Sequence, residues 1–118
     1  MPSLNMNGPY ELNSDEISRI ITRTSPGNYA LGFIDEEGKF RFKYIGRADN
    51  DVAGRLKQHL NERYTYFKYS YANSPKAAFE KECHNYHDFD GNNKLANKIH
   101  PDRPKNTNWK CPVCDVFD

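Results

Sequence analysis

The chain has 118 residues and a formal net charge of +1, with 28% charged side chains. A chain of this length forms one domain, and no apolar run approaches the roughly 20 residues that span a bilayer. These totals predict a soluble single-domain protein, and they differ from the large positive excess that is usual in proteins that coat nucleic acid.

The first 26 residues are predicted to form an arm and a short helix. Residues 1–5 lack the basic and apolar regions of a signal peptide, which favours a cytoplasmic location. Residues 1–12 show little periodicity and are predicted to be a loose arm or, at most, a short extended segment. Asn13 and Glu16 have the spacing of an N-cap and its N3 partner, so a helix is predicted to begin there. Its apolar face holds Ile17, Ile20 and Ile21.

Two strands are predicted next, over residues 28–35 and 40–46. Alternation places three side chains on one face of each strand, namely Tyr29, Leu31 and Phe33 in the first and Phe40, Phe42 and Tyr44 in the second. If Glu37 and Gly38 form a two-residue hairpin loop, Leu31 lies opposite Tyr44, and Tyr29 is one diagonal step away. Both tyrosines are therefore expected on one patch of the sheet.

A helix over about residues 51–62 and a third strand over residues 64–71 follow. Arg55 and His59 lie on the edge of the helix's apolar stripe, which consists of Val52, Ala53, Leu56 and Leu60. Eight lysines and arginines lie between residues 39 and 68, against the three acids Asp49, Asp51 and Glu62. This stretch is a candidate phosphate-facing surface, with Lys43, Arg47, Lys57 and Arg63 as nucleic-acid-binding residues. The alternative is an ordinary solvated face.

The last predicted helix carries a carboxylate in an unusual place. Ser74 and Pro75 are a strong helix start, as N-cap and N1 residues. Glu82 then falls in the middle of an apolar arc formed by Ala78, Phe79, Tyr86 and Phe89, whereas Glu80 points away. A carboxylate is costly to bury unless it is paired or binds a metal. The pattern therefore nominates Glu82 as a functional residue.

The cysteines suggest a second metal site. Cys83 and His87 are four residues apart on one helix, and Cys111 and Cys114 form a Cys-x-x-Cys pair in the tail. Together they make a four-coordinate set suited to structural Zn²⁺, which would attach the tail to the helix. His84 and His100 are alternatives to His87, and free thiols with a frayed tail are the alternative to zinc.

The order of these features resembles the GIY-YIG nuclease superfamily. Gly27-Asn28-Tyr29 and Tyr44-Ile45-Gly46 stand at the two tyrosine motifs of the family. Arg55 stands at its helix arginine, His59 at a histidine that several members carry, and Glu82 at its metal-binding glutamate. Asn97 is the best match to an asparagine that follows the glutamate helix in the family. The chain differs in having Asn28 in place of an aliphatic residue and a slightly longer segment between the tyrosines.

The resemblance implies an α+β fold, with a small three-stranded antiparallel sheet flanked by helices in a β-β-α-β-α core. This core spans residues 27–97, after the arm and helix of residues 1–26 and before the zinc-pinned tail of residues 98–118. It also implies a Mg²⁺-dependent endonuclease that cuts DNA. Glu82 would hold the metal, Arg55 the phosphate, and Tyr29 would be the general base. Tyr44 would orient the water and His59 would carry a proton.

Two other functions are compatible with the residues. One is a non-catalytic nucleic-acid-binding or interaction module that keeps the scaffold and the zinc site, which the small net charge favours. The other is a metal-stabilised structural domain with no nucleic-acid role. With no separate DNA-reading domain, selectivity for branched or damaged DNA would come from DNA shape, from a partner protein or from self-association, and the chain would act as a monomer or homodimer.

Overall fold

The computed structural model describes residues 6–88, 107 and 109–113, and the core elements follow the predicted order. They are β1 (Asn7–Glu11), α1 (Ser14–Ile20), β2 (Gly27–Ile34), β3 (Phe40–Ala48), α2 (Val52–Lys57), β4 (Tyr66–Tyr71) and α3 (Pro75–Asp88). From β2 onwards this is the predicted β-β-α-β-α order, and the α+β class is confirmed. No helix of the described residues is long and apolar enough to cross a membrane.

The sheet has four antiparallel strands in the order β1-β4-β2-β3, so the prediction of three strands was wrong. The additional strand is β1, which pairs with β4 at one edge of the sheet. Most of its residues are exposed, and Tyr10 provides its packing through ring contacts with Phe67 and Tyr69. An edge strand of this kind is held mainly by backbone hydrogen bonds and has no alternating apolar pattern.

The turn between β2 and β3 is one residue longer than predicted. The Asp35 amide donates to the Lys39 carbonyl at 2.8 Å, which leaves a three-residue loop over residues 36–38 instead of a two-residue loop at Glu37 and Gly38. Gly38 has a φ of 82°, the left-handed conformation that such loops require at their last position. The Asp35 carboxylate accepts hydrogen bonds from the Glu37 and Lys39 amides and stabilises the turn.

A β-bulge compensates for this shift and decides which face each aromatic side chain takes. Gly32 pairs with Phe42, whereas Leu31 pairs with Tyr44, so Lys43 is the extra residue. The predicted pairing of Leu31 with Tyr44 is therefore confirmed. The predicted common face of Phe40, Phe42 and Tyr44 is wrong, because the bulge moves Tyr44 to the face opposite the two phenylalanines.

Helices cover both faces of the sheet. Ile17 of α1 and Val52 and Leu56 of α2 pack with Tyr29 and Leu31 on one face. On the other face, Tyr86 of α3 packs with Ala30 and Ile45. Tyr44 belongs to the first layer, and Phe40 and Phe42 to the second. A site that uses both Tyr29 and α3 must therefore lie at an edge of the sheet, where residues from its two faces can come together.

The helix starts agree with the sequence, but α2 ends early. The Glu16 amide donates to Asn13 Oδ1 at 2.8 Å, and the Ala77 amide donates to Ser74 Oγ at 3.1 Å, which confirms both predicted caps. Because α2 ends at Lys57 and the chain continues as turns, His59 lies just beyond the helix. Its amide still donates to the Leu56 carbonyl at 3.0 Å, so the backbone keeps a helix-like turn at this position.

Candidate active site

An open cleft of about 600 Å³ brings together four of the predicted catalytic residues. Its walls include Tyr29 of β2, Tyr44 of β3, Arg55 of α2 and Glu82 of α3. Residues 46–51, from the last residues of β3 to the start of α2, form the remaining wall with Gly54 and Gln58. The cleft thus lies at the β3 edge of the sheet, where side chains from four elements line one space.

Tyr29 reaches the cleft because it lies opposite a glycine. Tyr29 pairs with Gly46 across the sheet, and a Cβ added to Gly46 would lie 2.4 Å from the Tyr29 hydroxyl. The glycine of the second motif is therefore required for space rather than for a special backbone conformation. Tyr44 stacks on Tyr29 with ring centroids 6.4 Å apart, which confirms the expected patch of two tyrosines.

A hydrogen-bonded chain runs from Tyr29 through His59 to an acid that the sequence reading did not single out. The Tyr29 hydroxyl lies 2.8 Å from His59 Nε2, and His59 Nδ1 lies 2.7 Å from Glu62 Oε2. The histidine side chain is 11% exposed and that of Glu62 is 46% exposed. The spacing of three residues between His59 and Glu62 is the one sequence signal that pointed to this contact.

Burial makes the hydroxyls of Tyr29 and Tyr44 weaker acids than a tyrosine hydroxyl in water. Burial raises the pKa of the Tyr29 hydroxyl above its ordinary value and the neighbouring Tyr44 adds to the effect, whereas Arg55 opposes it through a hydrogen bond and its charge. The pKa of Tyr44 is also raised, first by burial and then by the charge of Glu82. At neutral pH both hydroxyls therefore keep their protons, and Tyr29 can accept a proton only if it gives its own away.

Glu82 is buried as predicted, and its partner is an arginine of the chain itself. Arg47 Nη1 lies 2.7 Å from Glu82 Oε1, and Arg47 Nε lies 2.9 Å from Asp49 Oδ1. The two side chains of the Arg47–Glu82 pair are 12% and 10% exposed, and the guanidinium also lies over the Phe79 ring. Burial raises the pKa of Glu82 to about 7, and Arg47 opposes that shift.

The residues predicted to bind nucleic acid lie in different surroundings. Arg47 lines the cleft but is paired with Glu82 and Asp49. Lys43 is exposed at the bulge, Lys57 donates to Ser18 Oγ at 2.8 Å, and Arg63 lies over the Tyr64 ring. Two arginines line the cleft in the described part of the chain, and Arg55 is the one that forms no ion pair with a described carboxylate. It donates instead to Gln58 Oε1 at 3.0 Å.

Two predicted zinc ligands, one on α3 and one in the tail, pack together. Cys83 and Cys111 are both buried, form no disulfide with a described cysteine, and pack with Phe79 and Trp109. Burial raises the pKa of the Cys83 thiol, and its contact with Cys111 adds to the effect. His87 lies in the last turn of α3, whereas Cys114, Asn97 and His100 lie outside the described residues. Among the described residues, no group of three or more His, Cys, Asp or Glu side chains is placed to hold a metal ion.

Asn28, the departure from the family's aliphatic residue, connects the sheet to the glutamate helix. Its side chain is fully buried on the face that meets α3, and Nδ2 donates to the Ala78 carbonyl at 2.9 Å. Its Oδ1 has no hydrogen-bond partner. The contact fixes α3 against β2 one helical turn before Glu82.

Comparison of the chain with family models, with curated proteins and with solved structures finds no match.

Proposed function

We propose that this chain is a metal-dependent endonuclease of GIY-YIG type that hydrolyses DNA phosphodiester bonds. The observation that supports the proposal is the convergence of Tyr29, Tyr44, Arg55 and Glu82 on one open cleft, although they come from four separate elements of the chain. Phosphodiester hydrolysis needs an activated water, a cation for the phosphoryl oxygens and a metal ligand. The cleft contains one residue type for each of these tasks.

The donor set of the cleft fits Mg²⁺. This ion prefers oxygen ligands, retains several waters and is commonly held by one or two carboxylates together with substrate phosphate. Glu82 supplies the carboxylate, and the open cleft leaves room for water and a phosphate beside it. When bound, Mg²⁺ would neutralise charge on the phosphate and on the leaving oxygen.

The side chains of the cleft divide the remaining work. Arg55 presents a permanent planar cation to the non-bridging phosphate oxygens. Tyr44 orients the attacking water, and the Tyr29 oxygen accepts a proton from that water while its own proton moves to His59 Nε2, 2.8 Å away. The new P–O bond forms as the bond to the leaving oxygen breaks, and that oxygen takes a proton from solvent. DNA binding would extend from Arg55 to the exposed Lys43.

A non-catalytic nucleic-acid-binding module is the second candidate. The observation that favours it is the ion pair between Glu82 and Arg47, since the carboxylate already has a counter-ion within the chain. In this alternative Arg47 and Glu82 stabilise the scaffold, and DNA binds the cleft through Arg55 without being cut.

Cleavage of supercoiled plasmid and branched DNA, with Mg²⁺ or with chelator, distinguishes the two candidates. We expect cleavage by the wild-type protein with Mg²⁺, and a loss of at least about 100-fold in Glu82→Ala and Arg55→Ala, the usual cost of removing a charge-stabilising group. Glu80→Ala on α3 and Arg41→Ala in the hairpin are matched controls outside the cleft. Binding without cleavage supports the non-catalytic module, and cleavage unchanged in Glu82→Ala contradicts the nuclease proposal.

We also propose that Zn²⁺ joins the tail to α3 through Cys83, Cys111 and Cys114, with His87, His84 or His100 as the fourth ligand. The support is the contact between Cys83 of α3 and Cys111 of the tail, which are far apart in the chain. Elemental analysis of protein purified without chelator is expected to give one zinc per chain, and replacing each histidine by Gln identifies the ligand. A zinc content well below one per chain contradicts this proposal.

A further inference from the structure

The hydrogen bonds of His59 give its two ring nitrogens different tasks. Nδ1 faces the Glu62 carboxylate at 2.7 Å, and Nε2 faces the Tyr29 hydroxyl at 2.8 Å. An ionised carboxylate only accepts hydrogen bonds, so a neutral imidazole must carry its proton on Nδ1. The Nε2 lone pair is then free to accept a hydrogen bond from Tyr29.

The surroundings of His59 leave Glu62 as the group that selects this tautomer. The imidazole packs against the Tyr29 and Tyr44 rings, with ring centroids 5.3 and 5.4 Å away. Arg55, the cation beside Tyr29 in the cleft, hydrogen-bonds to the Tyr29 side chain and donates to Gln58 Oε1 at 3.0 Å. Among the described residues, Glu62 is the one acid in an ion pair with His59.

We propose that Glu62 is a positioning residue for catalysis: it holds His59 as the Nδ1–H tautomer, so that Nε2 can take the Tyr29 proton during phosphodiester hydrolysis. The inference rests on the proposed nuclease function. In the step, water gives a proton to the Tyr29 oxygen, and the Tyr29 proton moves to His59 Nε2. Glu62 remains ionised and stabilises the resulting imidazolium, in the manner of the acid in an acid–His–nucleophile triad.

The burial of Tyr29 explains why its proton would pass to His59. A tyrosine hydroxyl in water titrates near 10, and the buried Tyr29 holds its proton still more firmly. Direct loss of that proton would leave a phenolate inside the protein. Transfer to a neighbouring neutral histidine as the water proton arrives avoids the charged tyrosine, and the Glu62 carboxylate compensates the positive charge on the ring.

The first test reads the tautomer and does not depend on DNA cleavage. Long-range ¹H–¹⁵N spectra of ¹⁵N-labelled, metal-free protein report which nitrogen of each histidine carries the proton, and His59→Gln assigns the His59 signals among the four histidines. We expect Nδ1–H in wild type and in the matched control Glu36→Gln, which removes a carboxylate from the hairpin loop. Glu62→Ala is expected to shift the population towards Nε2–H, whereas Glu62→Gln retains an acceptor for Nδ1–H.

The second test separates positioning from DNA binding. In Glu62→Ala we expect kcat to fall by at least about tenfold, a part of the usual contribution of acid–base catalysis, with KM for DNA within about twofold of wild type. Glu62→Gln keeps the tautomer but loses the charge, so its kcat should lie between those of Glu62→Ala and wild type. Thermal unfolding confirms that each variant is folded.

The outcomes separate this inference from the function on which it rests. Wild-type protein that does not cleave DNA overturns the nuclease proposal, and the tautomer spectra still decide whether Glu62 positions His59. A wild-type protein that cleaves DNA, with Glu62→Ala retaining the wild-type kcat, overturns the inference and leaves the nuclease proposal intact. Wild-type His59 in the Nε2–H form overturns it as well.

Discussion

The two sides of the cleft satisfy their buried polar groups in opposite ways. On the tyrosine side, Tyr29, His59 and Glu62 form a chain of hydrogen bonds that leaves Arg55 directed at the cleft. On the glutamate side, the buried Glu82 carboxylate is paired with Arg47. In the proposed nuclease, the tyrosine side is therefore arranged for catalysis before any ligand binds, whereas the glutamate side would have to exchange one cation for another. Pre-organisation of one half and competition in the other predict different responses to mutation.

Tyr29→Phe breaks the tyrosine side and should have the largest effect. We expect cleavage to fall by about 10²- to 10⁴-fold, the contribution typical of a positioned acid–base group, because phenylalanine can neither accept the water proton nor pass one to His59. Steady-state cleavage of plasmid DNA by purified protein measures the loss. Tyr66→Phe, on β4 outside the cleft, is the matched control and should cleave like wild type.

Gly46→Ala tests the same side through space alone. The new Cβ would lie 2.4 Å from the Tyr29 hydroxyl, so the ring must leave the position in which it hydrogen-bonds to His59. We expect a loss of about 10- to 100-fold in kcat, in line with the cost of misplacing a reacting group by about 1 Å. In the Tyr29→Phe background the same substitution should have little additional effect, since both changes act through one side chain. Fully additive losses would show that Gly46 acts elsewhere.

Much of the fold was predictable because the sequence signals are local. The caps at Asn13 and Ser74 depend on a few neighbouring residues, and the burial of Glu82 follows from the helical periodicity of α3. The bulge at Lys43 was not predictable from alternation, because one inserted residue exchanges the faces of all the residues before it. The exposed strand β1 has no apolar pattern that could have indicated it.

The candidate site also has a part that the sequence predicted and a part that it did not. The resemblance placed Tyr29, Tyr44, Arg55 and Glu82, and the structure brings these four residues to one cleft. The sequence predicted that Arg47 binds nucleic acid. Its partner Glu82 is 35 positions away on another element, and only the folded chain brings the two side chains together. Long-range ion pairs of this kind leave no periodic signal in one sequence.

Arg47→Gln tests the glutamate side, and its effect should be the smallest. In the proposed nuclease, Mg²⁺ would compete with the guanidinium that lies 2.7 Å from the Glu82 carboxylate of the wild-type protein. Without Arg47, the buried carboxylate has lost its closest cation, and bound Mg²⁺ would supply the missing charge. We therefore expect Mg²⁺ to raise the Tm of the variant by about 4 °C more than that of wild type, the shift that 1 kcal/mol gives in a domain of similar size.

Thermal unfolding with Mg²⁺ or chelator measures this difference. Burial raises the pKa of Glu82 to about 7 in the wild type, and the loss of Arg47 raises this pKa further, so the pH is set well above 7 to ionise the carboxyl in both proteins. The double variant Arg47→Gln/Glu82→Gln is the control and should show no Mg²⁺-dependent shift. If wild type and Arg47→Gln respond equally to Mg²⁺, the two cations do not compete for the carboxylate. The glutamate side would then be as pre-organised for its proposed metal as the tyrosine side is for its proposed water. The contrast between the two sides of the cleft would disappear.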